Sequence, residues 1–247
     1  MWNRRFTLLV GLAVAVALLF SNGQVVAQGE SPTGPAGQGD SEAPLGVQAE
    51  LYNQLDNPST AGIASQNTPD VPSFSNQAAD DFVFVVPTGF HGWLVDTVEV
   101  MGSYPGTSIT NVVSVNVQFY ADSGAGLPGT LVYGATVGPA SIGNMTTGSF
   151  ILTLSPPAAL APGTNWVSVQ PNKNFLTTGQ WFWTQRLTQN YSPSAWQNPS
   201  GALVPACRNW GARVATCAWG TDPDLIFRLN GTIIATVAKV YLPVISR

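Results

Sequence analysis

Residues 111–120 read Asn-Val-Val-Ser-Val-Asn-Val-Gln-Phe-Tyr, and their alternation decides the fold class. Successive side chains of an extended chain point to opposite faces, so Val113, Val115, Val117 and Phe119 share one side and Ser114, Asn116, Gln118 and Tyr120 the other. A period of two predicts a strand with one face buried. The pattern recurs with Phe150, Leu152 and Leu154 against Ser149, Ile151 and Thr153. It recurs again with Leu225, Phe227 and Leu229 against Asp224, Ile226 and Arg228. In the strand expected at 164–170, Val167 and Val169 turn inward, which leaves Trp166 on the side of Ser168 and Gln170. Further strands are expected at 82–86, 93–101, 130–137 and 180–185.

Between these strands stand residues that accept positive φ or preset a turn. Asp122-Ser123-Gly124 and Gly126-Leu127-Pro128-Gly129 separate two strands, and Pro156-Pro157 and Pro162-Gly163 bracket the next connection. Helical periodicity is nowhere sustained, and no repeat of solenoid or propeller length is present. The expected fold is all-β: an antiparallel, jelly-roll-like β-sandwich over residues 46–232. A final apolar segment, 233–247, is expected to add an edge strand.

Charged residues are 9% of the chain, well below the roughly 25% of an average soluble domain, while Gly and Pro number 25 and 19. The polar surface is therefore built mainly from uncharged side chains. Residues 1–27 have a basic start (Arg4, Arg5), an apolar run from Phe6 to Phe20 and the ending Val25-Val26-Ala27, which is the grammar of a signal peptide cleaved after Ala27. The apolar run is shorter than the ~20 residues of a transmembrane helix. The alternative is an uncleaved anchor of the same topology. Residues 28–45, rich in Gly, Pro, Ser and acid, read as a disordered linker. Both readings put the rest of the chain outside the cytoplasm, secreted or at the cell surface. No transmembrane span is expected after cleavage.

Without the leader, seven Lys or Arg face thirteen Asp or Glu, and the cations are scattered singly. A nucleic-acid partner, which needs clustered cations, is not expected. In an oxidising compartment Cys207 and Cys217 are expected to form a disulfide.

Several short stretches taken in order carry a resemblance. They are Leu51-Tyr52-Asn53-Gln54 with Asp56-Asn57, Ser65-Gln66-Asn67, Ala78-Ala79-Asp80-Asp81-Phe82, the strand and turn 117–129, Ala161-Pro162-Gly163-Thr164, Gln180-Trp181 and Asp224-Leu225-Ile226-Phe227-Arg228-Leu229. Together they resemble a class of uncharacterised bacterial secreted β-sandwich modules, found alone or appended to exported surface proteins and hydrolases. The resemblance implies architecture and setting, and no chemistry. The ending Val240-Tyr241-Leu242-Pro243-Val244 also resembles a short terminal signature of exported bacterial proteins.

The residues offer little catalytic equipment. His91 is the single histidine, no Gly-x-Ser-x-Gly elbow is present, and the carboxylates carry no accompanying signature, so no enzyme activity is expected. His91, between two expected strands, reads as a solvated turn residue. Two clusters remain. If first and last strands lie side by side, Asp80 and Asp81 approach Asp222 and Asp224, and four carboxylates suit a structural calcium ion; the competing reading is that they are turn and cap residues. Six of the eight Trp fall between 166 and 219. Trp181 and Trp183 share a face, and with Trp196, Trp210 and Tyr191 they are candidates to stack on sugar rings, the competing reading being that they fill the core. The expected function is a non-catalytic exported binding or adhesion module with a polysaccharide as first ligand class. The alternative is a surface assembly protein that pairs with another protein through its C-terminal β segment.

Overall fold

A computed structural model describes residues 46–85, 87–105 and 111–235. The expected signal peptide, the linker and residues 236–247 of the tail lie outside these residues. None of the described helices is long and apolar enough to cross a membrane.

The first strands are β1 (Gly46–Gln54), β2 (Pro58–Ala64), β3 (Gln77–Phe84), β4 (Phe90–Val100) and β5 (Gly102–Ser103). Then come β6 (Ser114–Asp122), β7 (Pro128–Val137), β8 (Ile142–Gly143), β9 (Phe150–Leu160) and β10 (Gly163–Asn172). The last are β11 (Phe182–Arg186), β12 (Ala195–Gln197), β13 (Gly211–Ala212), β14 (Asp224–Leu225) and β15 (Phe227–Ala235). They form two large sheets, β1-β15-β4-β9-β8 and β13-β12-β3-β10-β6-β7. A smaller sheet orders β14-β11-β2, with β5 also paired to β11. The named strands pair antiparallel throughout. The architecture is an all-β sandwich.

The alternating apolar positions form the core between the large sheets. Val115, Val117, Phe119, Phe150, Leu152, Val167, Val169, Leu225, Phe227 and Leu229 are fully buried. Aromatic rings bridge the sheets: Phe82 of β3 stacks on Trp93 of β4 with centroids 6.2 Å apart, and Phe84 lies 4.0 Å from the same indole. Val113 departs from expectation. It is 66% exposed, because the chain becomes a strand only at Ser114 and Val112 is the residue turned inward. His91 is solvated as expected, but it belongs to β4 and not to a turn.

The tail behaves differently from an added edge strand over its first residues. Ile233 and Ile234 continue β15, which pairs with β1 on one side and β4 on the other. The first strand and the last strand described are therefore neighbours, with the last one internal.

Cys207 and Cys217 are bonded, with Cα atoms 5.5 Å apart. The closed loop is short, and chain-entropy reasoning gives it about 2 to 3 kcal/mol of stabilisation. Within the loop, Gly211 and Ala212 pair with β12.

Candidate functional site

The polar side of the 111–120 alternation leads to the site. On β6, Ser114, Asn116, Gln118 and Tyr120 face away from the core, and on β10 Ser168, Gln170 and Asn172 do the same. Register places Thr136 of β7 opposite Asn116, and Asn116 opposite Gln170. Gln77 of β3 stands opposite Gln197 of β12. Since β3 and β10 meet at Ala79 and Ser168, Gln77 falls two residues along on the same face, level with Gln170. Five adjacent strands thus contribute one row of uncharged polar side chains: Thr136, Asn116, Gln170, Gln77 and Gln197.

Hydrogen bonds fix this row. Thr136 Oγ1 donates to Asn116 Oδ1 at 3.0 Å, and Asn116 Nδ2 donates to Gln170 Oε1 at 3.2 Å. Gln197 Nε2 donates to Gln77 Oε1 at 2.9 Å. Gln77 Nε2 reaches Ser168 Oγ at 2.9 Å, the Tyr120 hydroxyl at 3.0 Å and also Gln118 Oε1. Amides locked by one another are preorganised, so a ligand meeting them immobilises few free rotors.

Gln118 lies beside the row, two residues along β6 from Asn116 on the same face. Its Oε1 accepts from Gln77 and, at 3.1 Å, from the Tyr120 hydroxyl, while its Nε2 meets no acceptor among the described residues. The side chain lines an open cleft of about 150 Å³ with Asn116, Gly134, Ala135 and Thr136. Gly134 stands opposite Gln118 in the register and supplies no side chain to cover it. Among the described residues no Lys, Arg, Asp or Glu belongs to this row or lines the cleft.

The other end of the same face is covered. Ala79, Tyr120, Trp166 and Ala195 make a small second core, against which Leu127 and Trp210 pack. Trp166 is on the side of Ser168, as expected, yet wholly buried. Its indole N–H donates to Asp122 Oδ1 at 2.9 Å. Trp210 lies edge-on to Tyr120 at 5.6 Å and remains partly exposed.

The aromatic candidates are corrected here. Trp181, Trp183 and Trp196 are fully buried, and each indole N–H is consumed by a backbone carbonyl, of Gly148, Ile226 and Ala64 respectively. Rings of that area gain most by filling the core, and these three present no face to a ligand. Tyr191 is 57% exposed but sits on a different feature, the loop over the buried acids.

Asp80, Asp81 and Asp224 are indeed buried near one another. Asp80 accepts from Gln54 Nε2 at 2.8 Å and from the Leu225 N–H at 2.7 Å. The Asn190 N–H donates to Asp224 at 2.6 Å and the Ser192 N–H to Asp81 at 3.0 Å, with Tyr191 between them at φ 55°. Asp222 turns elsewhere, accepting from Ser59 Oγ at 2.6 Å. The expected four-carboxylate calcium shell is not assembled: among the described residues no group of three or more acidic, His or Cys side chains is arranged to hold a metal. Burial, with neighbouring Asp224 second, holds Asp80 well above the usual carboxylate range. Burial likewise pushes Asp81 up to about 6 and Asp224 to about 7. Arg186 Nη1 lies 3.8 Å from Asp224, and its Nη2 pairs with Asp56 at 2.8 Å.

Asn116, Gln118, Ser168 and Gln170 stand on the outward faces of alternating strands, but alternation alone does not single them out. The available signal was that these positions carry amides and hydroxyls where a solvated strand face more often carries charge. Comparison of the chain with family models, with curated proteins and with solved structures finds no match.

Proposed function

We propose that this chain is a non-catalytic, exported module that binds a neutral carbohydrate on the outer face of the β12-β3-β10-β6-β7 sheet. The observation that carries the reading is the preorganised amide row beside Gln118, whose free Nε2 lines the cleft left open by Gly134. Sugars present hydroxyls that donate and accept at once, and amides with fixed orientation satisfy both roles. Three other partner classes fit less well. A protein interface usually has an apolar, aromatic-rich centre, and this cleft is lined by amides, Thr, Gly and Ala. Nucleic acids and polyuronates need cations to meet their charge, and the row supplies none.

The test is affinity electrophoresis of the purified protein through soluble neutral glucans, xylans, mannans and galactans, with pectate as the anionic control. Retardation by a neutral polymer that is abolished by Gln118→Ala and by Gly134→Val, in variants with unchanged melting, supports the proposal. Retardation by pectate alone, or by no polymer, refutes it.

A further inference from the structure

Resting on the carbohydrate reading, the geometry points to a more specific ligand. We infer that the face takes an extended, unbranched run of a neutral glycan laid across the strands and entering over the β7 edge.

Three observations carry this. The polar row runs from Thr136 on β7 to Gln197 on β12, with Thr136 exposed, Asn116, Gln170 and Gln197 partly exposed, and Gln77 buried as the link that holds Gln197. Strands in a sheet are spaced by about 4.8 Å, so four steps extend over about 19 Å, the length of several pyranoses in an extended chain. A repeating row at regular spacing matches a repeating polymer better than a single compact molecule.

The second observation is size. The cleft beside Gln118 holds about 150 Å³, below the roughly 300 Å³ at which pockets begin to enclose whole small ligands. It seats one ring and leaves the neighbouring rings on the open face. The third is the boundary. Among the described residues β7 is the last strand of its sheet, with no further strand beyond it to stop the ligand. A polymer is therefore free to extend past Thr136, whereas recognition of a chain end would need a closing wall there.

The two ends of the row then play different parts. Gln118 and Thr136, at the cleft, meet ligands of any length. Gln197, four strands from Thr136, meets only a ligand long enough to reach it.

Isothermal titration with unbranched β-1,4-linked gluco-, xylo- and manno-oligosaccharides, from mono- to hexasaccharide, tests this. The polysaccharide panel is run on the same preparation. Affinity should climb about tenfold or more between disaccharide and tetrasaccharide, as one or two further hydrogen-bonded contacts form, and then level off. Gln197→Ala should weaken tetra- and hexasaccharide binding and leave the disaccharide unchanged, while Thr136→Ala should weaken all lengths. Thr136 is exposed, so that variant stays informative if Gln197→Ala disturbs the fold. A monosaccharide that binds as tightly as the hexasaccharide, or a Gln197→Ala variant silent at every length, overturns the inference while leaving the carbohydrate reading in place. Failure of both the oligosaccharides and the neutral polymers to bind overturns the two together.

Discussion

Gln118 and Gly134 stand directly opposite each other across β6 and β7, and the missing side chain at Gly134 is what leaves the Gln118 amide uncovered. A Cβ at Gly134 would lie 3.7 Å from Leu131 Cδ2 and 4.0 Å from Gln118 Cγ, both ordinary contacts. Gly134→Val is therefore expected to fill the cleft without straining the strand. Its stability should stay within about 0.5 kcal/mol of the parent, as for other surface substitutions, while neutral-glycan binding falls by at least about tenfold, the worth of one lost contact. Melting followed by titration separates the two effects.

The buried indoles give the opposite result. Trp181→Ala, Trp183→Ala and Trp196→Ala each remove a fully buried ring and orphan a backbone carbonyl. Each should cost about 3 to 5 kcal/mol of stability. Denaturant melts of the three variants check this, and a surface role for any of them would show instead as lost binding at unchanged stability.

The buried acids predict how stability depends on pH. Asp81 titrates at about 6 and Asp224 at about 7 in the folded protein, against about 4 in the unfolded chain. Between those values the folded state holds more protons than the unfolded one, so raising the pH favours unfolding. The stabilisation is fully present below about pH 4 and is lost as pH climbs through 6 and 7. Thermal melts should give a higher Tm at pH 5 than at pH 8. Asp81→Asn, which keeps an acceptor for the Ser192 N–H, should raise Tm at pH 8 by about 3 °C or more and flatten the profile. A Tm that rises from pH 5 to pH 8 would contradict the role given to these carboxyls.

Arg213 is fully buried and donates to Ser194 Oγ, Gln185 Oε1 and the carbonyls of Trp219 and Asp222. Burial lowers its pKa to about 10, still high enough to keep the charge at neutral pH. Arg213→Met removes the buried donor that serves the carbonyls of Trp219 and Asp222, while Gln185 Oε1 keeps the Asp222 N–H at 3.1 Å, and should cost about 3 to 5 kcal/mol. Arg213→Lys should rescue little of it, because a single ammonium does not reproduce the planar fork. Urea melts of both variants provide the check.

The strands were legible where one face is apolar, as in Val115-Asn116-Val117-Gln118-Phe119, because burial imposes the period of two. The site was not, because its row exists only across strands. Thr136, Asn116, Gln170, Gln77 and Gln197 are far apart in the chain, and only register brings them level. The Trp residues were ambiguous for a related reason. Trp166 and Trp210 lie on the outer face and Trp196 in the main core, yet the covering of that outer face by Leu127 and Trp210 is invisible to periodicity. Asp80 and Asp224 lie close to each other, but their chemistry depends on Gln54, Asn190 and Leu225 donors that the spacing of acids does not reveal.

The position of β15 between β1 and β4 has a consequence for biosynthesis. A ribosome delivers β1 and β4 long before Phe227–Ala235, so both strands wait with open hydrogen-bonding edges until the missing middle strand arrives. Pairing over so long a stretch of chain is also slow. That sheet cannot complete its order until residues 227–235 have been made, whereas β3, β10, β6 and β7 can pair without them.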